Sequence, residues 1–167
     1  MTLDIGFYHV MRQPLEQAVA QILERAYSRG QRTAVLVADE GRMQALDAAL
    51  WTYDDASFLP HATSRNQQAD LQPILIGTQV PWANAPEVLL AVATPLPDEL
   101  TAFERVAYVF DGREDAQLQA ARQAWSALKA SGQARSYYQQ REAGGWEKKA
   151  WAPRFPGLPV AFCRQGR

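Results

Sequence analysis

The sequence predicts an α/β protein: a three-layer α/β/α sandwich around a mostly parallel sheet of about five strands. Short runs that are apolar throughout recur along the chain, as at 34–38 and within 73–77. Runs of this kind are typical of strands that are buried on both faces. Between several of them, apolar residues recur at steps of three and four, which indicates helices that cross over between parallel strands.

The predicted elements alternate along the chain. The strands are expected at 3–10, 34–38, 73–77, 88–92 and 105–110. Helices are expected at 14–30, which opens on a proline and closes on a glycine, at 39–51, at 98–103 and at 114–130. Asp39 and Asp98 are suited to cap the second and third of these helices. The polar stretch 62–72 lacks apolar periodicity, so we expect an exposed loop there.

The C-terminal part of the chain has a different composition. Aromatic residues, glycines and prolines recur there without a period, among basic residues such as Lys148 and Arg154. We therefore divide the chain into an α/β domain at 1–132 and a C-terminal extension at 133–167. The extension is expected to be partly irregular, and loosely packed or disordered.

The composition is that of an ordinary soluble domain. Hydrophobic residues make up 47% and charged residues 21% of the 167 positions. The 17 basic and 18 acidic side chains leave a net charge of −1, which argues against a protein whose whole surface binds DNA. One cysteine, Cys163, excludes an internal disulfide and a cysteine metal cluster. No stretch resembles a signal peptide or a membrane span, so a cytoplasmic protein without membrane contact is expected.

The motifs predict no catalytic site, no cofactor and no metal. The first strand-to-helix turn lacks G-x-G-x-x-G, and no G-x-x-x-x-G-K-[ST] occurs in the chain. His9 and His61 lie far apart and outside metal-ligand spacing. We interpret His9 as a packed strand residue and His61 as a loop or interface residue. Asp39 and Glu40 fit the start of a helix better than a metal site.

The last predicted helix carries a candidate binding stripe. Leu118, Arg122, Trp125 and Lys129 follow steps of four, three and four, so they share one side of the helix. An aromatic ring between two cations suits an acidic peptide that ends in an apolar side chain. The alternative, Trp125 as a plain core residue, stays open. The predicted core stripe, about a quarter-turn away, is Gln117, Ala120, Ala121, Ala124 and Leu128.

A second candidate surface surrounds the loop after the second predicted helix. Trp51 ends that helix, and Phe58 and Pro60 belong to the extended piece that follows. Large aromatic side chains close to one loop are common anchors of protein interfaces. Burial in the ordinary core is the alternative for these three residues.

Several short segments, taken together and in order, resemble the chi subunit family of bacterial DNA polymerase III. The segments are FYHV, ALDAALW, SFLPH, PILIG, VFDG and AARQAW, and they span about residues 5–132. The resemblance implies a Rossmann-like fold without nucleotide binding. It also implies a non-catalytic accessory subunit of a DNA-directed DNA polymerase holoenzyme, acting in DNA replication.

The resemblance implies partners as well. A chi subunit pairs with the psi subunit, which ties it to the clamp-loader complex. It also binds the acidic, phenylalanine-ended C-terminal tail of the single-stranded-DNA-binding protein. A DNA-repair helicase that competes with psi is a further candidate partner, and contact with DNA is expected to be mainly indirect.

The same resemblance assigns site residues. The tail-binding pocket is expected at Phe110, Arg122, Trp125, Ser126 and Lys129. The psi or helicase interface is expected at Trp51, Phe58 and Pro60. Ser126 occupies a position that is basic in the best-known family member, and Lys129, one turn further on, is expected to replace that charge.

Two other classes of function have less support in the sequence. A nucleotide-dependent enzyme would need a glycine-rich turn after Val10 or Val37, and neither turn is glycine-rich. A direct nucleic-acid-binding protein would need a basic face, and only the C-terminal extension is mildly basic. The leading prediction is therefore a non-catalytic adaptor of the replisome.

Overall fold

The structure, a computed structural model, describes residues 3–52, 60–64, 68–79, 82, 84–142 and 145–150. Its strands are β1 (Ile5–Val10), β2 (Thr33–Leu36), β3 (His61–Thr63), β4 (Ile74–Gly77), β5 (Val88–Val92), β6 (Arg105–Asp111), β7 (Arg135–Gln140) and β8 (Trp146–Lys149). Its helices are α1 (Leu15–Ser28), α2 (Glu40–Thr52) and α3 (Asp115–Ala130), with a 3-10 helix at Ala69–Leu71.

The strands form one sheet in the order β3-β4-β2-β5-β6-β1-β7-β8. Every pairing within it is parallel except that of β7 with β8. The central strand β1 pairs on both sides, so that Ile5 lies opposite Val106 of β6 and Arg135 of β7. The predicted α/β class with a mostly parallel sheet is confirmed. The expected number of about five strands is too low, because the described residues form eight.

Local chemistry explains where the helices begin and end. The carboxylate of Asp39 accepts a hydrogen bond of 2.8 Å from the backbone N–H of Arg42, which confirms Asp39 as the cap of α2. Gly30 follows α1 with a φ of +72°, a left-handed conformation that glycine adopts without steric cost. The backbone N–H of Gln31 then donates to the carbonyl of Ala26 and closes the helix end.

The core lies on both faces of the sheet, because alternate residues of a strand point to opposite sides. On one face, α1 and α2 pack against apolar strand residues such as Val35, Ile76 and Val109. On the other, which we call the α3 face, Trp125 of α3 packs against Phe7 and other strand residues. The apolar runs identified in the sequence are therefore buried from both sides.

Two predictions for the connecting segments are wrong. The expected exposed loop at 62–72 contains part of β3 and the 3-10 helix, because His61–Thr63 pairs in parallel with Ile74–Ile76. The short helix expected at 98–103 is not present in this described segment, which forms turns and bends instead. Pro95 and Pro97 restrict the backbone just before that segment, and the chain returns to β6 without a crossover helix.

The expectation of a loosely packed extension is wrong for β7 and β8. These strands contain no continuous apolar run, but their successive side chains alternate between the two faces of the sheet. Tyr138 and Trp146 face the side that α1 covers. The ring of Tyr8 stacks on that of Tyr138 at 4.9 Å and meets that of Trp146 edge-on at 5.1 Å. Sheet pairing thus continues beyond residue 132 to Lys149.

Candidate functional site

The candidate stripe lies on α3, which crosses the α3 face from the end of β6 to the start of β7. The turn into the helix is held by the backbone N–H of Asp111, which donates to the side chain of Gln117 at 2.8 Å. The helix buries Ala121 and Trp125. Ala120, predicted for the core stripe, is exposed. The sequence predicted a core stripe about a quarter-turn away from Trp125. In the structure, Trp125 itself is the large side chain through which the helix packs on the sheet.

Trp125 belongs to the core rather than to its edge, since only 8% of it is exposed. Its ring meets that of Phe7 edge-on at 5.1 Å and that of Tyr137 at 6.4 Å. The guanidinium of Arg135 lies over the ring, 4.6 Å from its centroid, in a cation–π contact. Of the two alternatives that the sequence leaves open for Trp125, the structure supports the core residue, and little of it is accessible.

Arg122 is the cation of the stripe that sits deepest. Its side chain is half-buried, and its Nε is buried without a hydrogen-bond partner among the described residues. Ser126, one turn along the helix, is half-buried, and Lys129 is exposed. A buried N–H donor without an acceptor costs free energy, so this group favours an anionic ligand that supplies one.

Phe110 lies beneath this surface. It is 0% exposed at the end of β6, and the ring of His9 lies 4.8 Å from it. Phe110, which the resemblance assigns to the tail-binding pocket, is therefore covered, because it sits in an interior strand of the sheet and His9 lies against it. The ring of His9 is half-buried, and it lies close enough to Arg122 for the guanidinium charge to lower its pKa.

His9 is held by several neighbours. Its Nδ1 lies 2.6 Å from the hydroxyl of Tyr137, which bears out the prediction of a packed strand residue. Burial lowers the pKa of His9, and the charge of Arg122 lowers it further, against the opposing effect of Asp111. Burial also raises the pKa of Tyr137 to about 12. Gly112 leaves room for the imidazole, because a Cβ there would stand 1.7 Å from Nε2.

The acidic residue near His9 already has a basic partner. Asp111 accepts two parallel hydrogen bonds from Arg113, of 2.9 Å from Nε and 3.0 Å from Nη2. Although burial raises the pKa of Asp111, these bonds lower it more, so the carboxylate stays ionised. Arg113 also donates to the carbonyl of Gln13 at 2.8 Å. Asp111 and Arg113 thus neutralise each other, and the charge of Arg122 remains available to a ligand.

The second candidate surface is open at Trp51, which is 54% exposed. Its ring centroid lies 4.5 Å from that of His61. His61 is a buried residue at the start of β3 rather than a loop residue, and its Nε2 lies 3.3 Å from the backbone oxygen of Asp47. Pro60 is half-buried, and Phe58 lies outside the described residues.

Leu71 is a further exposed apolar residue near this second surface. The sequence did not predict it, because it lies in a stretch of mostly polar residues. It is 64% exposed and ends the 3-10 helix before β4. The next strand, β4, begins at Ile74, which pairs with His61 at the start of β3. Because the ring of Trp51 lies against that of His61, Leu71 and Trp51 lie at the same edge of the sheet. A single leucine between polar residues was the available signal. Tyr137 and Arg135 were missed for another reason, since their strand was interpreted as loosely packed.

The described part of the chain offers no metal centre and no membrane helix. Within it, no group of three or more His, Cys, Asp or Glu side chains comes close enough to hold a metal ion. None of its helices is long and apolar enough to cross a bilayer. The two surfaces above are therefore the features to compare with known proteins.

The chain is similar to chi subunits of DNA polymerase III. The family model described as DNA polymerase III chi subunit, HolC, matches residues 1–136. The Escherichia coli (strain K12) subunit is 29% identical over 119 residues, 71% of this chain and 80% of that protein. The Pseudomonas aeruginosa subunit is 27% identical over 91 residues, 54% of this chain and 63% of that one. A probable chi subunit of Rickettsia prowazekii is 26% identical over 90 residues, and the chain spans about half of its length, 54%.

Proposed function

Because the chain belongs to the DNA polymerase III chi subunit family, we propose that it is a non-catalytic adaptor of the bacterial replisome. It joins the clamp-loader complex through the psi subunit, and it binds the C-terminal tail of the single-stranded-DNA-binding protein. The matched residues 1–136 contain both candidate surfaces. Contact with DNA is then mainly indirect, through that protein.

The proposal extends to the architecture and the compartment. Core clusters on both faces of the sheet support a three-layer α/β/α sandwich, with α1 and α2 on one side and α3 on the other. Replication of a bacterial chromosome takes place in the cytoplasm, and we assign the chain to that compartment.

The observation that carries the tail-binding proposal is the buried Nε of Arg122, which has no hydrogen-bond partner in the part of the chain that the structure describes. A carboxylate of the acidic tail can accept two parallel hydrogen bonds from a guanidinium, which an ammonium cannot reproduce. Lys129 lies seven residues further along α3, on the same side, and supplies a second, exposed charge. Ser126 between them supplies a hydroxyl in place of a third charge.

The terminal phenylalanine of the tail needs an apolar contact. The rim of Trp125 and the imidazole of His9 offer it beside Arg122, with Phe110 as the support below His9. Because the accessible apolar area is small and the peptide must be ordered on binding, the affinity is modest. The interaction weakens as salt rises, since Lys129 is exposed and Arg122 is only half-buried.

The psi subunit, or a DNA-repair helicase that competes with it, binds the other surface. Trp51 and Leu71 are exposed apolar residues at one edge of the sheet, and large exposed apolar side chains suit contact with a protein partner. Pro60 lies between them in the sequence, and we include Phe58 as a predicted member of the interface. The two binding surfaces use different elements, so both partners can bind at once.

The test is a binding assay with both partners from the same organism. The chain is titrated with a peptide that copies the last residues of the single-stranded-DNA-binding protein, and separately with purified psi. A matched control peptide lacks only the terminal phenylalanine. Binding of the full peptide but not of the shortened one supports the proposal. Equal binding of both peptides, or of neither, contradicts it.

A further inference from the structure

An open groove lies on the α3 face, lined by residues other than those of the two surfaces described above. Its volume is about 1020 Å³, and Trp82, Pro86, Pro97 and Phe103 supply apolar walls. Trp82 and Phe103 also pack against the core of this face. The groove exists because the 93–104 connection between β5 and β6 has no helix, so it covers the sheet less completely than α3 does.

The rim of the groove is acidic. Glu87, Asp98, Glu99 and Glu104 line it, and its described lining residues include no lysine, arginine or histidine. Glu87 and Glu104 are close neighbours, since the backbone N–H of Glu104 donates to the carbonyl of Glu87 at 2.8 Å. Like charges that lie together repel each other, and a cationic ligand relieves that repulsion.

A segment of complementary chemistry belongs to the same chain. Residues 151–167 contain no aspartate or glutamate, and they lie beyond the residues that match the chi family model. The segment carries three arginines and three aromatic residues: Arg154, Arg164, Arg167, Trp151, Phe155 and Phe162. Arginine side chains fit carboxylates, and aromatic side chains fit the apolar walls between them.

The topology brings this segment to the right edge of the sheet. Because β8 runs antiparallel to β7, Lys149 lies opposite Tyr137 and the chain leaves β8 at the edge where β5 and β6 begin. Four strand spacings separate β8 from β5, about 19 Å at roughly 4.8 Å each. About six extended residues cover that distance, and the segment has 17.

We propose that the acidic groove binds residues 151–167 of the same chain, with arginines on the carboxylate rim and an aromatic side chain between the apolar walls. The interaction is separate from the tail-binding site on α3 and does not depend on the proposed function. It gives the C-terminal segment a binding site that the chain itself supplies.

The single cysteine makes the test direct, because Cys163 lies in the segment. A nitroxide spin label on Cys163 of the full chain broadens the amide NMR signals of residues that it approaches. At low salt, we expect the signals of Glu87 and of 98–104 to lose at least half of their intensity relative to the reduced label. At high salt, the intensity should return, since exposed charges are screened.

Charge reversal identifies the groove. The double variant Asp98→Lys/Glu99→Lys changes two exposed rim residues, and we expect it to restore the lost intensity. Adding Arg154→Glu/Arg164→Glu to it should bring the broadening back. The matched control, Glu142→Lys/Glu147→Lys, makes the same charge change on exposed residues of the β7–β8 hairpin and should leave the broadening unchanged.

Three results would overturn the proposal. The first is the absence of broadening at the groove in the unmodified chain at low salt, which needs no variant to fold. The second is equal broadening in the rim variant and the wild type. The third is strong broadening when a spin-labelled chain is mixed with an isotope-labelled Cys163→Ala chain, because the segment would then bind a second copy.

Discussion

The hydroxyl of Tyr137 lies 2.6 Å from Nδ1 of His9, and the contact joins residues 128 positions apart in the sequence. It ties β7 to the central strand β1 on the α3 face. It also holds His9 against Phe110, beside the cation that we assign to the acidic tail. The fold of the C-terminal strands and the shape of the candidate site therefore depend on the same pair.

Removing this hydroxyl should destabilise the protein. Tyr137→Phe keeps the buried ring and leaves Nδ1 of His9 without that partner, so we expect a loss of about 1–3 kcal/mol in the free energy of unfolding. Tyr27→Phe is the control, because Tyr27 is 41% exposed and should change little. Denaturant unfolding of both variants measures the difference. Equal stability of the two would show that the contact contributes nothing.

Gly112 should not tolerate a side chain. A Cβ there would stand 1.7 Å from Nε2 of His9, so Gly112→Ala must displace the imidazole. We expect a destabilisation of about 1–3 kcal/mol, the usual range for an overpacked site. The double variant with His9→Ala should recover part of this loss, which a double-mutant cycle measures. Strict additivity of the two changes would argue against the clash.

The stability should fall in mild acid because of His9. Its pKa in the folded state lies below the ordinary value of 6.5, so the unfolded chain binds the proton more readily. This contribution is fully present above pH 6.5 and is lost as the pH falls through the folded pKa. His9→Gln should flatten the pH profile in that window. Asp111 has a lowered carboxyl pKa and acts only in a separate window, below its ordinary 3.8.

Trp51 should matter for binding more than for folding. With 54% of it exposed, Trp51→Ala should leave the fold intact and weaken binding of psi by about 2 kcal/mol or more. Phe58→Ala is predicted to act in the same way. Tyr27→Ala, on a different element, serves as a control for loss of an exposed ring. A variant that unfolds, yet binds psi normally per folded molecule, would place Trp51 in the core.

Much of this fold follows from local patterns in the sequence. The apolar runs of β2, β4, β5 and β6, the glycine that ends α1 and the aspartate that caps α2 all depend on short segments. The strand β7 could not be found in this way. Its sequence alternates without a continuous apolar run, and it is stabilised by pairing with β1, more than 120 positions earlier in the chain.

The candidate site shows the same limit. The spacing predicts Arg122, Trp125 and Lys129 on one side of a helix, but it leaves open whether Trp125 is buried. That burial depends on Phe7 and Arg135, which come from distant segments. Periodicity places residues on a side of a helix, whereas the depth of each one is set by what packs against it.

Ser126 offers a gain-of-function test of the tail site. Its position lies between Arg122 and Lys129 on α3, and it is half-buried. Ser126→Lys adds a cation next to the proposed carboxylate contacts, so we expect tighter binding of the acidic peptide at low salt and a steeper loss of affinity as salt rises. Ser131→Lys, beyond the end of the helix, is the matched control. Unchanged binding by Ser126→Lys would mean that the peptide does not pass this position.

The most direct test of the adaptor model is a titration of wild type and Arg122→Ala with the acidic, phenylalanine-ended peptide at low and high salt. We predict that the substitution costs about 1.5–3 kcal/mol, the range for a hydrogen bond to a charged group. That is roughly a 10- to 150-fold weaker Kd. Arg122→Lys should recover only part of the loss, because lysine cannot form the paired contact. Binding that is independent of salt, or an Arg122→Ala variant that binds like the wild type, would contradict the model and place the peptide elsewhere.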